Sequence, residues 1–335
     1  MKKRLLLLII FITLLLIIEK LLVPKYMTEL IEGNMINEYY KEEKNHEVIF
    51  IGDCEVYANY SPMVIYEETG ITSYIRGTPQ QLIWQSYYIL KETLKYEVPK
   101  IVILNVNAMR YNEPVSEAYN RLTIDKMKWS KEKIGIINSS MTPEENILTY
   151  IFPIIRYHSR YDKLTHEDFE YLFKTKTNTH NGFLINKEVK KLSSLPVDKK
   201  LLSYDFGDKA YEYLEKITTL CKENNIKLIL IKSPSLYPYW YNEYEKQIKE
   251  YAEKNNLDYY NFKDKIEEIG IDFNIDTYDG GLHLNLSGAT KMSKYIGKIL
   301  KENYNLTDNR NNSKIDNIYQ EKLTKYYEEV GDKDE

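Results

Sequence analysis

The sequence predicts an α/β fold: a parallel sheet with helices packed on both faces. Three observations carry that expectation. Short runs that are apolar throughout recur along the chain, as in Val48-Ile49-Phe50-Ile51 and Ile101-Val102-Ile103-Leu104, and strands without polar alternation are buried on both sides. Stretches of helical periodicity separate these runs, as in βαβ units. The chemically unusual residues fall at the carboxyl ends of the runs, where such sheets gather functional groups.

Composition narrows the classes. A chain of 335 residues with 43% hydrophobic and 29% charged residues is globular. A net charge of -4 without a long basic run argues against nucleic acid as a partner. Two cysteines, Cys54 and Cys221, are too few for a disulfide scaffold, and the five scattered histidines give no zinc-ligand spacing. No cofactor or metal is expected. The 32 tyrosines suggest carbohydrate stacking, but Asn, Lys and Ile are also abundant, and a compositional bias accounts for all four.

The first element is an expected transmembrane anchor over residues 1–25. Met1-Lys2-Lys3-Arg4 precedes an apolar run from Leu5 to Ile18, then Glu19-Lys20-Leu21-Leu22-Val23-Pro24. Early positive charge favours a cytoplasmic amino terminus with the rest of the chain outside. About fourteen apolar residues cover roughly 21 Å of a hydrocarbon core about 30 Å thick. Snorkelling of Lys20 and inclusion of residues 21–23 lengthen the span. The bulky residues after the run offer no small-x-small cleavage site, which favours an uncleaved anchor over a cleaved signal peptide or a buried soluble helix. The expected location is the cell membrane, single-pass, with the C-terminal domain extracytoplasmic.

Residues 26–45 are polar and read as a helical juxtamembrane stalk, and the main domain spans 46–303. Strands are expected at 46–53, 70–77 and 99–107. The spacing of Leu82, Ile83, Ser86, Tyr87, Leu90 and Leu94 predicts a helix over 80–94. Regularity is lost over 109–200, an insertion expected to lie over the site as a lid. Within it, Arg156, His158 and Arg160 read either as contacts for an anionic substrate or as a salt-bridged edge, and His180-Asn181-Gly182 as a turn. Helices are expected at 208–224, 241–254 and 287–302, and strands at 226–231 and 257–262. Cys221 falls on the apolar stripe of Ala210, Tyr213, Leu214 and Ile217, a core position. The charged tail, 304–335, is expected to be helical at 315–329 and outside the core.

Three strand ends carry candidate chemistry. In Ile51-Gly52-Asp53-Cys54-Glu55 the glycine permits a sharp turn and displays a thiol at the start of a helix, where the dipole favours thiolate. The carboxylates of Asp53 and Glu55 oppose that by raising the thiol pKa. In Arg76-Gly77-Thr78 the glycine lets a backbone N–H approach an oxyanion. In Asn105-Val106-Asn107 a side-chain amide serves the same purpose, with Asn105 preferred to Asn107. His283 lies in a loop before a helix, as base for the thiol, with Asp279 or Asp276 as the carboxylate that orients it.

In this order the residues resemble the SGNH/GDSL hydrolase superfamily. The resemblance implies a three-layer flavodoxin-like fold. It implies Cys54 in the nucleophile position of a Gly-Asp-Ser motif, Gly77 and Asn105 or Asn107 as oxyanion donors, and His283 as base. The chain is also similar in layout to membrane-anchored envelope members such as the DltD family of teichoic-acid D-alanylation and alginate O-acetylation proteins. It departs from the pattern twice: cysteine replaces serine, and Gly280 stands where the Asp-x-x-His motif has its aspartate, with Asp279 one position away.

The resulting expectation is an extracytoplasmic esterase or acyltransferase acting on a cell-surface glycan or teichoic-acid-like polymer, alongside envelope biosynthesis proteins. Its rivals are a non-catalytic module of the same fold that binds or routes such a polymer, and a soluble esterase with a signal peptide.

Overall fold

A computed structural model describes residues 2–178 and 180–331. Met1, Thr179 and the last four residues of the tail lie outside the described residues. The chain begins with α1 (Lys2–Leu22), a 21-residue apolar helix and, among the described residues, the one helix long and apolar enough to cross a membrane. The buried Lys25 ammonium turns back to the carbonyls of Val23 (2.9 Å) and Leu21 (3.4 Å), so a cation closes the helix where the dipole is negative.

Next comes α2 (Ile31–Tyr39). It is not a free stalk: Ile36 and Tyr39 are fully buried in two apolar clusters, because its apolar positions face the domain. Strand β1 (Val48–Gly52) leads into α3 (Cys54–Asn59) and α4 (Pro62–Thr69), and β2 (Ser73–Gly77) into α5 (Ile83–Thr93). Strand β3 (Ile101–Asn105) follows. Residues 109–200 contain α6 (Glu117–Ile124), α7 (Lys131–Ser140), α8 (Ile147–Ile151), α9 (Ile154–Tyr157) and α10 (His166–Glu170). The domain closes with α11 (Asp208–Glu223), β4 (Lys227–Lys232), α12 (Asn242–Asn255), β5 (Asp258–Asn261), the short α13 (Ile266–Ile269), α14 (Leu286–Asn303) and α15 (Ser313–Val330).

The five strands are parallel in the order β2-β1-β3-β4-β5, the flavodoxin-like arrangement with its switch point between β1 and β3. Strand residues alternate between two cores. Val48, Phe50, Ile101, Ile103, Ile229 and Ile231 face α3, α4, α14 and α15, whereas Ile49, Ile51, Val102, Leu104, Leu228 and Leu230 face α5, α11 and α12. This explains why the strands read as apolar runs: each has a helical layer on both sides. Cys221 is buried on the α11 stripe as expected.

The C-terminal helix corrects the expectation of a tail outside the core. Tyr319, Leu323 and Tyr326 recur at helical spacing, are buried against the β1–β3 layer, and Tyr319 stacks on Tyr66 at 4.0 Å. The insertion divides by function of its parts. α7 packs on α5, α9 and α10 pack on α1, and residues 184–192 hydrogen-bond to α3 and to the loop that carries His283. The His180-Asn181-Gly182 turn, with positive φ at Asn181 and Gly182, pairs its carbonyl with the Ile75 N–H at the sheet edge.

Candidate active site

At the switch point the glycines are packing residues. A Cβ on Gly52 would stand 2.8 Å from Asn105 Cβ, and one on Gly77 would stand 2.4 Å from Val56 Cγ2. Only bare backbone lets β1 meet β3, and α3 settle against β2. Asp53 then caps α3, accepting from the Glu55 N–H at 3.1 Å. Cys54, the first residue of α3, remains partly exposed. The backbone N–H groups of Gln80 and of Cys54 itself favour the thiolate. Gln80 holds a left-handed φ of 51°, and its side-chain Oε1 is buried without a hydrogen-bond partner among the described residues.

Beneath the sulfur lies a buried polar cluster. Asn105 Nδ2 donates to Asp53 Oδ1 (3.2 Å) and Glu55 Oε2 (2.7 Å), and Asn107 Nδ2 to Asp53 Oδ2 (2.7 Å). Lys232 Nζ, from the end of β4, donates to both Glu55 oxygens at 2.9 and 3.2 Å and to the Ser233 carbonyl. Asn105 therefore spends both N–H groups of its amide on Asp53 and Glu55, Asn107 gives one of its two to Asp53, and Gly77 serves close packing. Burial, then the charges of Asp53 and Glu55, push the Cys54 thiol well above its usual range, against the opposing pull of the Gln80 and Cys54 N–H groups. Burial and Glu55 likewise raise Asp53.

His283 lies in the loop before α14, shaped by two left-handed glycines, Gly280 and Gly281. Its Nδ1 meets Asp279 Oδ2 at 2.6 Å, and its backbone N–H donates to Asp279 Oδ1 at 2.8 Å. A carboxylate at Nδ1 fixes the tautomer in which Nε2 is the free lone pair. That Nε2 is buried with no hydrogen-bond partner among the described residues. Asp276 is engaged elsewhere, with Lys291 at 2.6 Å and the Asp272 N–H at 2.8 Å. Burial raises the Asp279 carboxyl, but the hydrogen bonds and charge of His283 outweigh it and bring the carboxyl below its usual range.

The loop is tied to α3, since the Leu284 N–H donates to Asn59 Oδ1 at 2.9 Å. Cys54 makes no hydrogen bond to His283. Tyr278 is common to both surroundings: its ring stacks on His283 at 5.5 Å, and its hydroxyl, raised chiefly by burial, also feels Asp279 and Cys54. Tyr57 senses Cys54 too, and its hydroxyl donates to Glu32 of α2 at 2.8 Å.

Sequence reasoning missed Gln80, Tyr57, Tyr278, Glu32 and Lys232. One signal for Lys232 was available: a cation ending the buried run Leu228-Ile229-Leu230-Ile231 needs a buried partner. Arg156 and Arg160 are ion-paired with Glu117 and Asp168 beside the end of α1.

Beyond the ends of β3 and β4 opens a groove of about 370 Å³, lined by Tyr237, Tyr239, Tyr241, Tyr244, Arg110 and Lys199 among others. Tyr237 and Leu236 donate backbone N–H groups to Gly281, so the groove adjoins the His283 loop. Arg110 Nε is buried there without a hydrogen-bond partner among the described residues. No group of His, Cys, Asp and Glu suited to a metal occurs among the described residues.

No protein-family model and no curated protein matches the sequence. Among solved structures, the chain is similar to a candidate acylhydrolase from Bacteroides fragilis, with TM-score 0.38 and 12% identity, over 80% of this chain and 94% of that one. It is also similar to a GDSL-like lipase from Bacteroides thetaiotaomicron, with TM-score 0.35 and 13% identity, over 79% of this chain and 95% of that one. Both likenesses are remote.

Proposed function

We propose that the chain is a membrane-anchored esterase or acyltransferase of SGNH/GDSL type, working outside the cytoplasm through Cys54, His283 and Asp279. The observation that carries this reading is the Asp279–His283 pair, whose Nε2 is left buried and unpartnered on a loop hydrogen-bonded to the helix that begins with Cys54.

The raised thiol stays protonated at rest, so attack requires a base. Sγ bonds to the acyl carbonyl carbon as the thiol proton passes to His283 Nε2. The carbonyl oxygen, now an oxyanion, is stabilised by the N–H groups of Cys54 and Gln80. Collapse breaks the ester C–O bond, and His283 returns the proton to the leaving alcohol. Water or an acceptor hydroxyl, deprotonated by the same nitrogen, then releases the acyl group from sulfur. Asp279 positions the ring throughout.

A surface glycan or teichoic-acid-like polymer suits the adjoining groove, where tyrosine faces accept sugar or polyol carbons and Arg110 and Lys199 accept phosphate. Glu32, ten positions after Leu22, already touches the site through Tyr57, which keeps the chemistry near the membrane.

One observation favours a second reading, a non-catalytic polymer-binding module: the thiol is raised and not hydrogen-bonded to His283. Full-length protein treated with p-nitrophenyl acetate and examined by mass spectrometry separates the two. The enzyme forms an acetyl adduct on Cys54, absent in Cys54→Ala and slowed roughly 100-fold or more in His283→Ala. Absence of an adduct in the wild type, with polymer binding intact in Cys54→Ala, establishes the module instead.

A further inference from the structure

The segment expected as a lid holds an apolar surface that the chemistry does not use. Residues 147–173, spanning α8 to just past α10, wrap the carboxyl end of α1. The Ile154 N–H donates to Glu19 Oε2 at 3.2 Å, and Arg160 donates to the Leu22 carbonyl. Tyr157 is buried with Leu22, Val23 and Met27, and Lys20 lies over the Phe173 ring. Outward, the same segment exposes Leu148, Ile151, Phe152, Ile155, Phe169 and Phe173, with Phe152 53% and Phe173 75% exposed. Leu148 and Ile151 lie on α8, Phe152 at the break before Pro153, and Ile155 on α9. Single exposed apolar residues are ordinary, but a cluster of large ones marks an interface.

The position of α1 says what covers it. Its apolar stretch, Leu5 to Ile18, spans about 21 Å of a hydrocarbon core of about 30 Å, and charged residues begin on either side of it, at Arg4 and at Glu19 and Lys20. Residues 19–23 therefore stand at one membrane boundary, and whatever touches them lies at headgroup level. A cleft of about 630 Å³ opens at the same level, with Lys25, Arg156, Arg160 and Lys163 among its lining alongside the acids Glu117, Glu167 and Asp168.

We propose that residues 147–173 form an interfacial collar whose apolar side chains insert into the bilayer around the end of α1. This rests on reading α1 as a membrane span. The collar makes the attachment two-point, a span plus an inserted rim, which fixes the tilt of the domain on the membrane.

The test uses the full chain in vesicles of phosphatidylethanolamine and phosphatidylglycerol doped with brominated phosphatidylcholine. Phe152→Trp, Phe173→Trp, Phe11→Trp and Leu202→Trp are compared, each after subtracting wild-type emission. Phe11→Trp reports the span; Leu202→Trp, at an exposed position outside the collar, reports the aqueous baseline. The collar predicts blue-shifted emission at positions 152 and 173, quenched at least twofold by bromolipid, with position 202 unaffected. Quenching at 11 combined with baseline values at 152 and 173 overturns the collar and leaves the anchor standing. No quenching at 11 overturns both. A blue shift at 152 and 173 that depends on protein density and not on bromolipid assigns the surface to a second copy, and the collar fails.

Discussion

Replacing Lys232 with methionine isolates the interaction on which the site's floor depends. Lys232 and Glu55 are both wholly excluded from solvent, with Nζ 2.9 Å from Oε1. At an effective dielectric of about 20, two unit charges so placed attract by roughly 6 kcal/mol. Much of this only offsets the desolvation of both ions. Removing one partner is different, because Glu55 is then left charged and buried, with the Asn105 amide as its remaining donor. Breaking a buried pair in this way costs about 3–5 kcal/mol. For a domain of this size that lowers the unfolding midpoint by roughly 5–15 °C, readable as tryptophan fluorescence on heating in detergent. Glu55→Gln in the same background removes the orphaned charge and recovers most of the loss, so the double-mutant cycle is strongly non-additive. A shift below about 2 °C for Lys232→Met, or additive single effects, refutes a charged buried pair at this position.

The raised thiol predicts that iodoacetamide labels Cys54 slowly at pH 8, with a rate still climbing toward pH 10; Glu55→Gln, by removing one of the charges that raises it, speeds labelling at fixed pH. Rapid labelling of the wild type at pH 7 contradicts this. Gly77→Ala, whose methyl meets Val56 Cγ2, costs about 1–3 kcal/mol in denaturant unfolding, and Val56→Ala in the same chain restores part of it. Asp279 is held below its usual range in the folded state. Its contribution is therefore present above the unfolded value of about 3.9 and lost as pH falls through the lower folded value. The stability gap between wild type and Asp279→Asn should narrow below about pH 4; a gap that widens there gives the shift the wrong sign.

Periodicity made the sheet legible because β1, β3 and β4 are apolar runs that feed two cores, whereas the edge strand β2 carries Ser73 and Arg76 and the edge strand β5 is half-buried. The alternation with α5, α11, α12 and α14 predicted a parallel sheet covered on both faces, whereas the flavodoxin-like arrangement was implied only by the family resemblance; the observed order is β2-β1-β3-β4-β5. The pattern failed where polarity concealed burial. In α15 the buried face is built on Tyr319 and Tyr326 with Leu323, and in α2 Met35, Ile36 and Tyr39 are buried among Asn34 and Glu38; a tyrosine-rich, polar sequence hides such faces against its background. Within the candidate site, Cys54, His283 and Asp279 were singled out through local motifs, and the structure brings Asp279 and His283 together. Gln80 was not, because its part is played by a backbone N–H at positive φ, which side-chain identity does not signal. The asparagines were visible as residues, but their partners were set by long-range packing: both donate to Asp53 from more than fifty positions away.

That packing also bears on why a thiol would stand here. A hydroxyl at position 54 would face the same two buried carboxylates and the same single base, and it holds its proton far more tightly than a thiol. With Asp53 and Glu55 both raising the proton affinity of the thiol, the proposed mechanism requires the softer nucleophile, from which His283 would take the proton during attack. Cys54→Ser is then not a conservative change. It keeps the connectivity of the side chain, with a smaller atom on a shorter bond, yet should lose acyl transfer nearly as fully as Cys54→Ala, when acetyl release from p-nitrophenyl acetate is followed. A serine variant that matches or exceeds the wild type would mean that Asp53 and Glu55 do not act on position 54 as their placement requires.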